Sequence, residues 1–150
     1  MLIHEDVPRY DSWLKPLLSG FVAFTLILGL VFLMFNTELA IVLFAITVID
    51  GLLFSIIIPR NFQIYRDKLR IQLGGPFAMN IPLRKIDKAR PGSSSDLWVY
   101  WGIRFGTSSS NVVEIIRNKG MNIIITPEDS EEFISQLNRA IEMQSTPNTP

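Results

Sequence analysis

The sequence predicts a two-helix membrane hairpin followed by a small α+β domain of about seven strands and one closing helix. Three observations carry this reading. Two runs, 17 to 35 and 39 to 58, are almost free of charge and long enough to cross a bilayer. After Pro59 the continuous apolar pattern gives way to short alternating runs separated by turns. From Thr126 onward the chain carries a helix-start signal and then a four-residue apolar repeat. The chain accordingly divides into an N-terminal cytoplasmic segment (1–16), the hairpin (17–58), a cytoplasmic domain (59–142) and a flexible tail (143–150).

"LLSGFVAFTLILGLVFLMF" contains no charged residue and "LAIVLFAITVIDGLLFSIII" contains only Asp50. As helices, each run is about 30 Å long, which matches the hydrocarbon core of a membrane. A chain of 150 residues has no interior able to cover two helices that are apolar on every face. Asn36, Thr37 and Glu38 separate the runs, so the helices must return antiparallel. That loop has no Lys or Arg, whereas Arg9 and Lys15 precede the first run and Arg60, Arg66, Lys68 and Arg70 follow the second. The positive-inside bias therefore predicts a multi-pass protein of the cell membrane with both termini cytoplasmic. "MLIHEDVPRYDSWLKP" is mixed in charge and no A-x-A site follows it, unlike a cleavable signal peptide. Trp13 stands where interfacial aromatics anchor a span.

Asp50 is the one ionisable residue within the two runs. Centring the loop on residue 37 places Asp50 level with Phe24 and Thr25, and Ser55 level with Ser19. Two readings stand for this acid. One is an interhelical or intersubunit polar contact shared with Thr25, Ser19 and Ser55. The other is an intramembrane functional acid in a small subunit of a transport or secretion assembly.

In the cytoplasmic half, "FQIYR" and "KLRIQL" around Asp67 read as a hairpin, and "FAMNIPL" and "KIDKAR" read as two further strands. "LWVYWGIRF" is an aromatic-rich strand between the polar loops "PGSSSD" and "GTSSSN". "VVEIIR" and "MNIIIT" flank "NKG", where Gly120 supplies the positive φ of a three-residue turn. Thr126 is the expected N-cap and Pro127 the first helical residue, with acids at 128, 129, 131 and 132 in the positive first turns. Phe133, Leu137 and Ile141, with Ala140 beside them, form the face that packs on the sheet.

The apolar hairpin, "IPLRKI" after the first strand pair, "GIRFG" before the last, and the closing "NKGMNIIITPEDSEEFISQL" together resemble the bacterial and archaeal pleckstrin-homology-like membrane proteins. The resemblance covers nearly the whole chain. It implies a PH-like half-open β-barrel of two orthogonal sheets capped by the C-terminal helix. It implies no shared catalytic residue and no single ligand.

Composition narrows function further. Fourteen basic and fourteen acidic residues cancel, and there is no cysteine. Nucleic acid is therefore not an expected partner, and disulfide, thiolate and Cys-metal chemistry are excluded. The single histidine, His4, falls in a segment expected to be mobile, and no His, Asp and Glu set has metal-ligand spacing. The "SSS" runs lack the GK[ST] ending of a phosphate loop. No catalytic residue, metal or cofactor is expected, and the chain is read as a non-enzymatic interaction module.

Charge asymmetry points to where it would bind. From Pro59 to Arg90 there are eight Lys or Arg against Asp67 and Asp87, while from Thr126 to Glu142 there are five acids against Arg139. Arg84, Lys85, Lys88 and Arg90 in "LRKIDKAR" form the densest cluster. It suits anionic lipid headgroups, a protein partner or the protein's own subunits, and ordinary positive-inside bias accounts for part of it. Reporter fusions at either terminus are expected to read cytoplasmic, and an extracellular signal at either end would overturn this topology.

Overall fold

Asn36 decides where the second apolar helix begins. In the computed structural model, which describes residues 1–93 and 102–145, its side-chain oxygen accepts the Leu39 N–H at 3.1 Å as an N-cap. Helix α1 spans Leu14–Phe32 and α2 spans Thr37–Ile57. The turn therefore occupies 33 to 36, earlier than the loop expected at 36 to 38. Both helices are long and apolar enough to cross a membrane.

This shift changes which polar groups meet. Thr25 donates to the Val22 carbonyl and accepts from Thr47 at 3.0 Å, and both residues are buried. Asp50 lies half-buried on α2, and Thr25, its expected neighbour, bonds Thr47 instead. Ser19 donates to the Pro16 carbonyl of its own helix at 3.2 Å, and Ser55 is exposed. The four expected polar residues are therefore not one cluster. Close approach is provided by Gly29, where an added Cβ would lie 2.9 Å from the Phe44 ring, and by Phe21 edge-on to Phe54 at 6.3 Å. The outward faces, including Phe24, Ile27, Ile41 and Val48, are exposed and apolar.

The domain consists of Met1–Arg9 and the chain from Ile58 onward. One sheet contains, in spatial order, β1 (Leu2–Asp6), β2 (Asn61–Tyr65), β3 (Lys68–Gln72) and β4 (Ala78–Pro82). Alternation in "NFQIY" and "KLRIQ" buries Phe62, Ile64, Leu69 and Ile71 on one face. "IPLRKI" carries the chain from β4 through a 3₁₀ turn at Leu83–Lys85 into β5 (Ile86–Pro91) of the second sheet, with Leu83 and Ile86 buried at the corner. That sheet runs β5, β7 (Val113–Arg117), β8 (Ile123–Ile125), β6 (Ile103–Phe105), with β6 parallel to β8. The aromatic part of the expected strand "LWVYWGIRF" lies outside the described residues, apart from this β6 segment. Gly120 takes φ +95° in the β7–β8 turn, as expected.

Helix α3 (Ser130–Ser145) packs Phe133, Leu137 and Ala140 into the core shared by both sheets, with Phe133 edge-on to Phe62 at 6.1 Å. Its cap is Asp129, which accepts the Glu132 N–H at 3.0 Å, and not Thr126. Thr126 is fully buried and accepts the Thr107 N–H at 2.9 Å. It thereby fixes the loop after β6, where Thr107 and Ser108 are buried rather than solvated. The helix continues through Met143, into the segment expected to begin the tail.

The N-terminal segment is also not the mobile lead-in expected from sequence. Residues 2–6 form an edge strand on β2, with His4 opposite Ile64 and Asp6 opposite Phe62. His4 lies half-buried, edge-on to Phe133 at 6.2 Å and 4.0 Å from the Glu132 carboxylate. Pro8 bridges Pro127, and Arg9 N–H donates to the Thr126 carbonyl at 2.8 Å. The apolar pair is thus inserted between two neighbouring strands of one sheet. Five residues of mixed polarity give no periodic signal, and this strand is defined by a partner nearly sixty residues away.

Among the described residues β5 pairs with a strand on one side, β7, and a side chain of α3 bonds its other edge at Ala89. Asn138 on α3 accepts the Ala89 N–H at 2.8 Å and donates to the Ala89 carbonyl at 3.0 Å, so an amide takes the place of a neighbouring strand. Asn138→Ala leaves both groups of Ala89 without that partner and is expected to cost about 1–3 kcal/mol in a chemical melt of the domain. Residues 60–150 alone, lacking β1, are expected to melt at a lower midpoint than residues 1–9 joined to 58–150 through a short Gly-Ser linker. Equal midpoints would show that β1 adds nothing.

Candidate interaction surface

Strand direction gives the domain two distinct ends. The chain leaves for the apolar pair after Arg9 and returns at Ile58. Asp6, Asn61, Gln72 and Ala78, which are in register or one residue from it, therefore lie at one end of the first sheet, the junction end. Leu2, Tyr65, Lys68 and Pro82 lie at the other, the far end. The second sheet follows the same order. Ile125 leads to Thr126, which binds Arg9, while Ile86 follows the 3₁₀ turn at the far end. Helix α3 runs between them, from Asp129, whose N–H reaches the Asp6 carboxylate at 3.2 Å, to Gln144.

The four basic residues of "LRKIDKAR" fall on two elements, the 3₁₀ turn and β5. Arg84 and Lys85 are exposed on the 3₁₀ turn at the far end. Lys88 is exposed on β5, past an irregularity in its pairing with β7. Arg90 is paired: its Nε stands 2.6 Å from the carboxylate of Glu114, a side chain only 4% exposed. The other Glu114 oxygen accepts from Asn122 at 3.2 Å. Glu114 faces away from the core beside Arg90, and the fixed pair neutralises both charges.

The far end brings together residues that the sequence does not group. Three shallow hollows surround Gln144, whose side chain donates to the Arg66 carbonyl at 2.8 Å. One, of about 340 Å³, is lined by Asp67, Lys68, Asn80, Pro82 and Arg84. Arg84 continues into a second, of about 310 Å³, floored by Leu83, Ile86 and Ile141. Arg66 and Met143 border the third, also about 310 Å³. Arg66 comes from the β2–β3 turn, Lys68 from the start of β3 and Arg84 from the 3₁₀ turn after β4. Lys68 and Arg84 line one hollow because Lys68 pairs opposite Pro82. Arg66, Lys68 and Arg84 share this surface with Asp67, Asp87 and the apolar Leu83, Ile86, Ile141 and Met143. In sequence the clue was the Arg-Asp-Lys turn, but only strand pairing connects it to residue 84.

Residues 60–140, from the approach to β2 through most of α3, match the family of bacterial PH domains. No curated protein and no solved structure matches the chain. Strand β1 lies before the matched span and is supplied across the inserted apolar pair. Two four-stranded sheets that do not close, with a C-terminal helix packed into their common core, are the architecture that this match describes, and the chain belongs to the bacterial PH domain family.

Proposed function

We propose that the protein is a membrane-anchored, non-enzymatic interaction module. In this reading α1 and α2 span the cell membrane with both termini in the cytoplasm, and the far end of the PH domain receives an acidic segment of a protein partner. One observation carries it: Arg66, Lys68 and Arg84 surround Gln144 at the end of the sheets opposite the junction with the apolar pair. Arg66 and Arg84 are exposed there, at the opposite end of the strands from Arg9 and Ile58. A lipid-directed cluster would instead be expected at the junction end. Asp50 is proposed as a packing acid that finds its partner outside the pair, since Thr25 and Thr47 satisfy each other.

Crosslinking the intact protein in its native membrane tests this. Arg66→Glu with Arg84→Glu is expected to remove the crosslinked partner while leaving membrane insertion and the domain's melting midpoint unchanged, because exposed charges contribute little to stability. Unchanged crosslinks would reject the far end as the binding surface. Loss of binding to anionic vesicles in the same variant would assign these cations to lipid.

A further inference from the structure

The β3–β4 turn sits at the junction end and differs in chemistry from the other described turns of the domain. The β2–β3 turn carries Arg66 and Asp67, the β7–β8 turn carries Asn118 and Lys119, and the loop after β6 reads "GTSSSN". Residues 73 to 79, "LGGPFAM", contain no charged or hydrogen-bonding side chain. Leu73 N–H closes the turn onto the Phe77 carbonyl at 3.0 Å, and Gly75 takes φ +66°, which favours glycine. This geometry holds Phe77 outward, 50% exposed, beside exposed Pro76. A half-exposed phenylalanine on a rigid, uncharged turn is costly in water and favourable at the edge of a bilayer.

Register fixes where that turn lies. Gln72 pairs with Asn61 on one side and Ala78 on the other. The turn is therefore one strand from the start of β2, a lateral step of about 5 to 10 Å. Arg60 N–H donates to the Gln72 carbonyl at 2.7 Å, which holds an exposed cation at the same edge. Exposed Val7 follows Asp6 at this end as well. From Ile57, the last residue of α2, to Asn61 the chain can extend at most about 14 Å. If α2 ends at the hydrocarbon boundary, Asn61 remains within or just beyond the headgroup layer.

We propose that the Gly74–Phe77 turn is a second membrane contact, with Phe77 and Pro76 seated in the lipid interface and Arg60 among the headgroups. The partner is the bilayer itself, and the contact rests on the proposed spanning of α1 and α2. It holds the junction end against the membrane and keeps the basic far end turned toward the cytoplasm.

Because the chain has no cysteine, single spin labels can be placed in the otherwise unchanged full-length protein, reconstituted in phosphatidylcholine bilayers. Labels at Leu30→Cys in α1, Pro76→Cys in the turn and Lys119→Cys at the far end are compared for access to oxygen and to an aqueous nickel chelate. Oxygen access is expected to exceed chelate access at 30 and 76, with the reverse at 119. Adding Phe77→Ser is expected to shift position 76 toward the chelate and leave 30 unchanged. A lipid-like signal at 30 with an aqueous one at 76 overturns the turn contact alone. An aqueous signal at both overturns the contact together with the spanning reading. Spin–spin broadening at 76 that disappears on dilution with unlabelled protein assigns the turn to a second copy and overturns the contact with lipid.

Discussion

The pairing of β1 with β2 is the constraint on which the rest of the molecule depends. Two neighbouring strands of one sheet are joined by forty-eight residues, Tyr10–Ile57, that form a separate unit. A hairpin normally closes over a few residues. Here closure requires that the inserted pair return its two ends close together, which an antiparallel pair of similar-length helices does by construction. The cap at Asn36 and the contacts of Thr25 with Thr47 and of Gly29 with Phe44 therefore support the pair that joins the first sheet's two strands, although they lie in the other unit.

β1 in turn organises the start of α3. Asp6 receives the Asp129 N–H, Val7 receives the Glu128 N–H, and His4 lies against Phe133 and Glu132. At the other side of the domain, Asn138 ties the same helix to the β5 edge. The helix that covers the core is thus fastened to the outermost strand of each sheet. An open barrel has edges that expose unpaired backbone, and Asn138 satisfies the Ala89 N–H and carbonyl on one of them. Pro82, at the end of β4, lacks the N–H that another strand would need to bond at that position.

The two ends of the domain consequently differ in chemistry. The junction end holds the uncharged turn with Phe77 and the exposed Arg60, and the far end holds Arg66, Lys68 and Arg84 around Gln144. Chain connectivity, rather than any single motif, distinguishes these ends. The domain is joined to the apolar pair through both β1 and β2, and both connections leave from the junction end.

By itself, the sequence determined the features that depend on local pattern. These are two apolar helices in a hairpin, the alternating strands β2 and β3 with the two short strands after them, the Gly120 turn, the amphipathic closing helix and membership of a PH-like fold. Each arises from periodicity or from residue types whose backbone preference acts over a few positions. Tertiary structure decided what depends on partners distant in the chain. It made residues 2–6 a strand, because the edge of β2 was available and the apolar pair returned the chain to it. It placed the helix cap at Asp129, because Thr126 was already engaged by the Thr107 loop. It paired Arg90 with Glu114 across the β5–β7 register and left Arg84 exposed on the 3₁₀ turn, and it brought Lys68 beside Arg84 through the β3–β4 pairing. Charge along a sequence shows how many cations are present, but only strand register determines which of them share a surface.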